Sequence, residues 1–586
     1  MRVEETFHQQ PPPTGNPYLE DPALPNLLKR LLPASALNII EPDLIRLGND
    51  LVNVIRPLAP LVKEPILTQY DAWGNRVDDL QVTEAWKTLK AFGCKEGVVS
   101  IAYERKFRDK SRIYQFAKGL LMTGDCHVMG CPYAMSDGAA RVIELSGTAE
   151  MKAQILPRLI SSDPQTVYTS GQWMTESTGG SDVSRTETVA RPVKQEPGDL
   201  GPAYLLDGFK WFSSAAEGNM SVALARSESN HGTRGLSLFL VPVRLPPFPT
   251  PLSNNILLHR LKNKVGTRAV PTAELELNGA RAWCIGALGA GVRTISPVLN
   301  ITRIHSSVGS VGALLRCLAL ARAYAGVRAV DGGKLLNTVP AHMEMLARVS
   351  VLYRALLHML FGVIALLGRT ECGMASERDE ARLRILTPAV KAFAALKAVA
   401  AMEECMAALG GQGYMEETGI GRLIRDALVE KIWEGTVEVL AHDLIRASRA
   451  KGVIEDFCQW GQAIISSAPK TLQTPALAHL QHALSALPSL FRKTRNPLLP
   501  RSILTLFAHV ASALFLLEHA VWARNNGEPD AAVDGAVFVR WVEEGGMKGT
   551  LEEIAGLDRD GEESVEERIR ENEMVVGAGH PERAKM

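Results

Sequence analysis

The sequence predicts a mainly α-helical protein with a small β domain in the middle of the chain. Three observations carry this prediction. Apolar residues recur at helical spacing between residues 26 and 160, and again between residues 291 and 449. Between residues 167 and 286 they alternate in short runs separated by loops rich in glycine and proline, which is typical of an antiparallel barrel or sandwich. With 586 residues, the chain is also long enough for several packed domains.

These changes of pattern predict four domains. An N-terminal extension and helical domain would occupy residues 1–165, and a β domain residues 166–286. A C-terminal four-helix bundle would follow over residues 287–450. Residues 451–586 are predicted to form a further helical extension. Within this extension, the acidic tail at residues 543–573 is expected to be solvated or partly disordered.

The charge balance bears on whether the protein binds nucleic acid or an anionic membrane. The chain has 64 lysines and arginines against 64 aspartates and glutamates, so its bulk charge gives no reason to expect nucleic acid or an anionic membrane. One short basic cluster precedes the acidic tail: Arg492, Lys493, Arg495 and Arg501. We interpret this cluster as a solvated surface, and DNA as a partner that is possible but not favoured.

The most apolar stretches raise the question of a membrane span. They cover residues 351–367 and 503–523, and polar side chains interrupt both, including Arg354 and His509. Polar groups at such depths are typical of helices buried in a bundle rather than facing lipid. We therefore expect no membrane span.

Cysteine usage and the chain ends bear on localisation. The eight cysteines form no CxxC pair and no dense framework, which favours reduced thiols in an intracellular compartment, and no metal site is predicted. The N-terminus lacks the apolar region of a signal peptide and carries early glutamates. The final triplet Ala584, Lys585 and Met586 is similar to the peroxisomal address S-K-L. A cytoplasmic or peroxisomal location is expected.

The first motif with chemical potential is YTSGQWMTESTGGSD, residues 168–182, at the start of the predicted strands. Gly179 and Gly180 permit close approach of the backbone to a ligand. The hydroxyls of Thr175 and Ser181 can hydrogen-bond a polar heteroaromatic ring or a pyrophosphate. Taken alone, the pattern also fits an ordinary turn.

The second motif, GFKWFSS, lies on a later predicted strand. Aromatic residues followed by a hydroxyl, as in Trp211, Phe212 and Ser213, can pack against a flat ring and hydrogen-bond its edge. A lone aromatic residue on a strand is usually part of the core. The spacing after the first motif is what favours a binding role.

The third motif is LGGQGY, residues 409–414, at the end of a long predicted helix. Gly410, Gly411 and Gly413 would expose backbone N–H groups that can approach a phosphate. The alternative is an ordinary helix C-cap.

The fourth motif, KIWEGTVEV, places Glu434 between Trp433 and Gly435. An aromatic neighbour shields a carboxylate from water, which strengthens it as a base for a carbon acid. An arbitrary glutamate is far more often a surface charge. The catalytic interpretation therefore depends on the other three motifs.

In their order and approximate spacing, the four motifs resemble those of the acyl-CoA dehydrogenase superfamily. The first is similar to the family's T-E-x-x-x-G-S-D flavin loop, the third to its GGxGY signature and the fourth to its aromatic-E-G-T/S motif. The resemblance implies an acyl-CoA dehydrogenase-like fold, FAD as cofactor and Glu434 as catalytic base. Some relatives carry the base just before a helical arginine. Here Thr302 precedes Arg303, so Glu434 is the single candidate.

The resemblance assigns roles to further residues. It implies substrate contacts for Ser181, Thr302, Arg303 and Gly435. It implies contacts with FAD for Met174, Thr175, Gly180, Ser181, Trp211, Phe212, Ser213, Arg328, Gly410, Gly411, Gly413, Trp433 and Thr436.

The reaction implied by the resemblance is dehydrogenation of the α,β bond of an acyl-CoA-type thioester. Glu434 would remove the α-proton while the β-hydride passes to flavin N5. The resemblance also implies a homo-oligomer, either a dimer or a tetramer. The electron acceptor would be a partner protein or oxygen.

Two positions depart from the family pattern around the nucleotide part of FAD. Asp331, three residues after Arg328, stands where relatives commonly have the phenylalanine of R-x-x-F-G. Val339 stands where a cofactor-contacting glutamine is usual. Both changes weaken the expected adenosine and pyrophosphate contacts.

A closer resemblance lies outside the four motifs. The stretch YDAWGNRVDD at residues 70–79, Trp86 and RLKNKVGTR at residues 260–268 are similar to the AidB subfamily of bacterial alkylation-response flavoproteins. That subfamily is associated with DNA and regarded as poor in acyl-CoA dehydrogenase activity. Three functions remain open: an acyl-CoA dehydrogenase or oxidase, an AidB-like DNA-associated protective flavoprotein, and a flavin-bearing scaffold without turnover. Nitroalkane oxidases share the fold but use an aspartate base, so Glu434 argues against them.

Overall fold

The computed structural model describes residues 9–227, 235–244, 253–330, 332–493, 496–558 and 561–577. Helices precede and follow a block of strands, which confirms the predicted fold class. The α-helices are α1 (Leu24–Leu31), α2 (Ala34–Asp50), α3 (Glu84–Lys95), α4 (Ser100–Glu104), α5 (Ser111–Thr123), α6 (Gly130–Ser146), α7 (Ala149–Gln154), α8 (Leu156–Leu159), α9 (Gly291–Ala325), α10 (Pro340–Glu371), α11 (Glu377–Ala408), α12 (Ile420–Ala427), α13 (Val437–Ser448), α14 (Val453–Ser466), α15 (Pro475–Arg492), α16 (Pro500–Asn525), α17 (Ala531–Glu544), α18 (Met547–Leu557) and α19 (Gly561–Val575).

The strands lie mainly in the middle of the chain. A two-stranded hairpin precedes them, and a second short pair follows α9. The strands are β1 (Ile66–Tyr70), β2 (Arg76–Gln81), β3 (Ser170–Trp173), β4 (Val189–Pro192), β5 (Ala203–Ser214), β6 (Met220–Arg226), β7 (Leu236–Pro242), β8 (Ile256–Leu261), β9 (Thr272–Ile285), β10 (Ala329–Val330) and β11 (Lys334–Leu335).

The chain forms two compact units. The first comprises Met1–Val349, Leu367–Met374 and Ala394–Glu434. The second comprises Ser350–Leu366, Ala375–Phe393 and Gly435–Met586. The division into four domains expected from the sequence stays a prediction.

The β domain of the first unit closes on itself. Strands β6, β4, β5, β9 and β7 pair in that order, and β7 pairs back with β6. The side chains of Trp173, Leu206, Phe239 and Leu275 fill its interior. Most pairings are antiparallel, as predicted, but β6 runs parallel to β3 and β4. Long connections separate these parallel partners, whereas a tight hairpin would have made them antiparallel.

Helix α9 is the main support of the site in the first unit. It packs against α5 and α6, and Val298 of α9 lies in the same apolar cluster as Ala139 of α6. Gly312 sits where α9 crosses α5, and a Cβ there would lie 2.7 Å from the carbonyl oxygen of Leu120. Because glycine permits this close approach, the polar residues of α9 are held at a defined depth.

A carboxylate on α2 joins this helix to α5 in the first unit. Asp43 accepts hydrogen bonds from Lys118 at 2.6 Å, from Arg46 at 2.7 Å and from the hydroxyl of Tyr114. Burial alone would raise the pKa of Asp43, but the hydrogen bonds from Lys118 and Tyr114 outweigh it and lower the pKa to about 2.

This low pKa predicts how stability depends on acid. The contribution of Asp43 to the free energy of unfolding is fully present above its unfolded-state pKa of about 3.9. It is lost as the pH falls towards 2. Asp43→Asn should lower the free energy of unfolding at pH 7 by about 1–2 kcal/mol, allowing for partial solvent screening. It should also flatten the acid limb of melting temperature against pH in calorimetry. Asp50→Asn, at the exposed end of the same network, is the control, and identical acid limbs in Asp43→Asn and wild type would contradict the prediction.

In the second unit, α16 is the central helix and is buried along most of its length. It packs against α13, α15, α17 and α18. Inside this unit, Asp534 lies 3.3 Å from Arg354 and 3.5 Å from His519. The acidic tail, expected to be partly disordered, is helical in α18 and α19, although most described side chains of α19 face solvent as predicted.

Four helices of the described chain are long and apolar enough to cross a membrane by length and composition: Gly291–Ala325, Pro340–Glu371, Glu377–Ala408 and Pro500–Asn525. Between 78% and 89% of the most apolar window of each is buried inside the protein. Most of their apolar surface is therefore packed against other parts of the protein.

Candidate active site

The first motif forms a tight turn directly after β3. The N–H of Glu176 donates to the carbonyl of Gly179 at 3.1 Å, and the reverse bond measures 3.2 Å. A Cβ at Gly179 would lie 2.2 Å from the carbonyl oxygen of Asp182, so only glycine fits. The turn leaves Gly180 and Ser181 exposed, while Met174 and Thr175 at its start are half-buried.

A buried ion pair joins the first motif to the second. The ammonium of Lys210 lies 2.6 Å from Oε1 of Glu176, which also accepts from the hydroxyl of Thr188 at 2.6 Å. Burial would raise the pKa of Glu176, but the charge of Lys210 holds it below the usual range. The N–H of Trp211 donates to the carbonyl of Thr175 at 2.9 Å. This pair was not predicted from the sequence, where its local signal is the lysine just before the two aromatic residues.

A β-bulge explains how both aromatic side chains of the second motif reach the surface. Lys210 pairs with Leu275 and Ser213 with Ala273, so β5 contains one more residue than β9 over this stretch. The extra residue interrupts the strict alternation of the strand. As a result, Trp211 and Phe212 are 37% and 48% exposed although they are neighbours. The pair forms an aromatic surface beside the turn of the first motif.

Lys262 lies over this aromatic surface. Its ammonium is 3.3 Å from the ring centroid of Trp211 and 4.6 Å from that of Phe212. Glu274 anchors it through an ion pair of 2.6 Å. A cation over an aromatic face is attracted by the negative electrostatic potential of that face, which arises from the quadrupole of the ring. The sequence analysis included Lys262 only within the AidB-like stretch and assigned it no role.

Glu434 occupies a strained turn just after α12. Its φ of +57° lies in the left-handed region, which a residue with a side chain adopts at an energetic cost. The hydroxyl of Thr302 on α9 donates to Oε2 of Glu434 at 2.6 Å. Nε of Arg303 donates to the backbone carbonyl of Glu434 at 3.2 Å. Adjacent residues of one buried helix therefore fix both the carboxylate and the backbone of the half-buried Glu434.

A second glutamate braces the same turn. Glu430 is buried, and its Oε2 accepts a hydrogen bond from the hydroxyl of Ser306 and another from Nε1 of Trp433, each at 2.5 Å. Trp433 is thereby held against α9 beside Glu434. The sequence analysis did not single out Glu430 or Ser306, and no local pattern distinguishes them from other polar residues.

The half-buried Cys131 lies near these carboxylates. Burial raises the pKa of Cys131 to about 12, and the negative charges of Glu430 and Glu434 act in the same direction. The thiol therefore stays neutral and adds no competing nucleophile to the site.

The third motif lines a separate cleft of the first unit. Gly410–Tyr414 forms a short 3₁₀ turn in which a Cβ at Gly413 would lie 2.0 Å from the carbonyl oxygen of Met406. Gly410 and Gly411 border the cleft together with Arg328, and a Cβ on either glycine would meet no atom within 4 Å. The cleft has a volume of about 810 Å³. A guanidinium beside an open glycine backbone suits a phosphate.

The residues present fit an FAD. The hydroxyl of Ser213 is buried and has no hydrogen-bond partner among the described residues, as expected of a group reserved for a flavin edge. The exposed aromatic pair, the turn at Gly180 and the cleft at Arg328 provide surfaces for a flat ring and a phosphate chain.

The predicted site residues are only partly brought together by direct contacts. Glu434 contacts Thr302 and Arg303, and Thr175 contacts Trp211. Gly435 and Thr436 belong to the second unit, where Thr436 caps α13 through the N–H of Val439 at 3.3 Å. Asp331 lies outside the described residues. The individual cofactor and substrate roles stay predictions.

Comparison with known proteins identifies the class that this fold and site define. Residues 171–280 match the acyl-CoA dehydrogenase middle domain and residues 289–448 its C-terminal domain. Residues 10–164 match the N-terminal domain of the adaptive response protein AidB. The chain belongs to the acyl-CoA dehydrogenase family, a class of FAD-dependent oxidoreductases.

Particular relatives narrow this class. The chain is 41% identical to acyl-CoA dehydrogenase family member 11 of Caenorhabditis elegans, covering 76% of this chain and 72% of that protein. It is 30% identical to the putative acyl-CoA dehydrogenase AidB of Escherichia coli, covering 67% of this chain and 71% of that protein. A crystal structure of Caenorhabditis elegans ACDH-11 in complex with C11-CoA is similar at a TM-score of 0.89, with 35% identity and coverage of 98% and 97%. Both parts of the expected resemblance, to the family and to AidB, are confirmed.

Proposed function

We propose that this protein dehydrogenates the α,β bond of an acyl-CoA thioester, with Glu434 as the base. One observation carries the proposal. The carboxylate of Glu434 is presented on a strained turn and hydrogen-bonded at 2.6 Å by Thr302, next to the arginine that binds its backbone. Strain of this kind persists only where surrounding contacts enforce it, which is typical of functional sites.

The chain's own groups account for the proton half of the reaction. Thr302 occupies one oxygen of the Glu434 carboxylate, and we assign the substrate α-proton to the other. The Cα–H bond breaks, its electron pair forms the C=C bond, and the β-hydrogen leaves with two electrons. Bound FAD supplies the acceptor for that hydride. Glu430 holds the neighbouring Trp433 through a hydrogen bond that does not involve the carboxylate of Glu434.

The nature of the substrate is supported by a relative. The Caenorhabditis elegans structure similar to this chain over nearly its whole length contains C11-CoA. We propose an acyl-CoA with an extended acyl chain as the substrate class. The electron acceptor is proposed to be a partner protein or oxygen, and the protein to act as a homo-oligomer.

The decisive test mixes the purified yellow protein anaerobically with acyl-CoAs of graded chain length. Loss of the flavin absorbance with at least one of them, and its return after admission of air or a redox dye, is the expected result. Failure of every acyl-CoA to bleach an intact flavin would refute the proposal in favour of a scaffold without turnover.

Thr302 offers a graded test of the same geometry. Thr302→Val keeps the shape of the side chain but removes the hydrogen bond to Glu434, so the rate of flavin reduction should fall about tenfold. Thr302→Ser retains a hydroxyl and should stay within about threefold of wild type. Stopped-flow measurement of anaerobic reduction compares them. Equal rates for the valine and serine variants would show that this hydrogen bond does not position the base.

The AidB-like alternative finds little support in the basic cluster of the C-terminal extension. Lys493 forms an ion pair with Asp558 at 2.5 Å, and Arg501 forms one with Glu438. Arg495 lies outside the described residues, as do Ala584, Lys585 and Met586. DNA affinity that rises steeply as salt is lowered would favour the alternative. A cytoplasmic or peroxisomal location is proposed, the peroxisomal alternative because of the final triplet. Deletion of this triplet should abolish any punctate distribution in cells.

A further inference from the structure

The N-terminal residues 9–14, here called the strap, are anchored to the first unit. Nη1 of Arg56 donates to the carbonyl and to the hydroxyl of Thr14, each at 3.0 Å. Arg56 itself is fixed by two hydrogen bonds to Asp125, of 2.9 and 3.0 Å. The base of the strap is therefore held by a guanidinium that cannot move freely.

Three consecutive prolines, Pro11, Pro12 and Pro13, connect this anchor to the tip of the strap. Proline has a fixed φ, and a run of prolines forms an extended and semi-rigid spacer. The position of Gln9 is consequently set by the anchor at Thr14 rather than by a free chain end.

Gln9 lies at the cleft of the third motif. Its Oε1 accepts a hydrogen bond of 2.9 Å from Nη1 of Arg328, and both residues border the cleft with Gly410 and Gly411. On the same cleft, Nε2 of His342 is buried without a hydrogen-bond partner among the described residues. The cleft thus combines a cation, an imidazole and a carboxamide around an open glycine backbone. These groups suit a nucleotide with its phosphate.

We propose that the strap completes the site for the AMP half of FAD, with Gln9 supplying a carboxamide that binds it. The proposal rests on the proposed function, because it requires FAD as cofactor. Gln9 provides a carboxamide next to Arg328, the arginine that would face the phosphate. The strap is therefore part of the cofactor site and not a passive extension.

The test compares variants of the full-length FAD-bound protein. Release of FAD on dilution, followed by its fluorescence, gives the Kd, and the melting temperature is measured with added FAD or with FMN, which lacks the AMP half. Gln9→Ala should raise the Kd for FAD about fivefold, as expected for one lost hydrogen bond, and leave the melting temperature with FMN unchanged. Gln10→Ala, the neighbouring exposed glutamine outside the cleft lining, is the matched control and should match wild type.

A second variant tests the stiffness of the strap. Replacing Pro11, Pro12 and Pro13 by glycine keeps Gln9 but loosens its tether, so the Kd for FAD should rise about threefold.

The outcomes for Gln9→Ala decide the inference. An unchanged Kd for FAD would overturn it. A lower Kd would also overturn it, because tighter binding would mean that the strap competes with the cofactor. Gln9→Ala acting equally on FAD and FMN would also overturn it. If wild type binds FAD and is bleached by acyl-CoA while Gln9→Ala behaves identically, this inference fails and the proposed function stands. If wild type binds no FAD, both fail.

Discussion

Replacing Glu434 by glutamine is expected to slow the reduction of bound flavin by acyl-CoA about a thousandfold, while FAD stays bound. The amide keeps the shape of the side chain, and its oxygen can still accept a hydrogen bond from the hydroxyl of Thr302. It cannot take up the substrate α-proton, and a well-placed general base contributes a factor of about 10² to 10⁴ in rate. The measurement is single-turnover anaerobic bleaching, which separates chemistry from product release.

The control for this prediction is Glu438→Gln, four residues further along the chain. Glu438 is exposed and forms a surface ion pair with Arg501, so its loss should change neither the flavin spectrum nor the reduction rate. The assignment of Glu434 as the base is contradicted if acyl-CoA reduces the flavin of Glu434→Gln as fast as that of the control. Loss of FAD from Glu434→Gln would instead mean that the side chain holds the cofactor.

Replacing Arg112 by methionine is expected to destabilise the first unit by about 3–5 kcal/mol. Arg112 is 2% exposed and forms an ion pair of 2.6 Å with Asp137. It also binds Glu371 through two parallel hydrogen bonds of 2.6 and 2.9 Å. Methionine fills most of the volume but leaves two buried carboxylates without their cation, which costs far more than the loss of a surface charge.

Asp137 shows why this cluster is sensitive. Burial would raise the pKa of Asp137, but the charge of Arg112 and the hydrogen bond from His305 hold it far below the usual range. Without Arg112 the buried carboxylate must protonate or remain charged without its main cation, and either is unfavourable. Because His305 lies on α9, we expect the damage to reach the helix that carries Thr302.

The measurement is urea unfolding followed by tryptophan fluorescence, with the flavin-binding state held constant. Arg348→Met serves as the control, since Arg348 is 71% exposed in its pair with Glu344 and should contribute no more than about 0.5 kcal/mol. A loss below about 1 kcal/mol in Arg112→Met would show that the buried cluster relaxes around the substitution.

The predicted fold class rested on local periodicity, and this is why it was confirmed. The alternation of large and small apolar residues in β6 and the helical repeat of α9 are visible within a few residues of chain, and both elements are buried along most of their length. The shared order of the motifs was equally visible and led to the correct family. Local pattern did not reveal the parallel pairing of β6, because strand direction depends on distant connections.

By itself, the sequence determined the order of helices and strands, the family and the base candidate Glu434. Each of these follows from the spacing of apolar residues or of motifs along the chain. Only the tertiary structure decided that Lys210 is buried against Glu176, that Glu430 braces Trp433 and that Gln9 meets Arg328. These partners lie 34, 3 and 319 residues apart, so sequence separation does not predict them. They are set by how helices and strands pack, because a buried polar group must find its partner wherever the folded chain brings one.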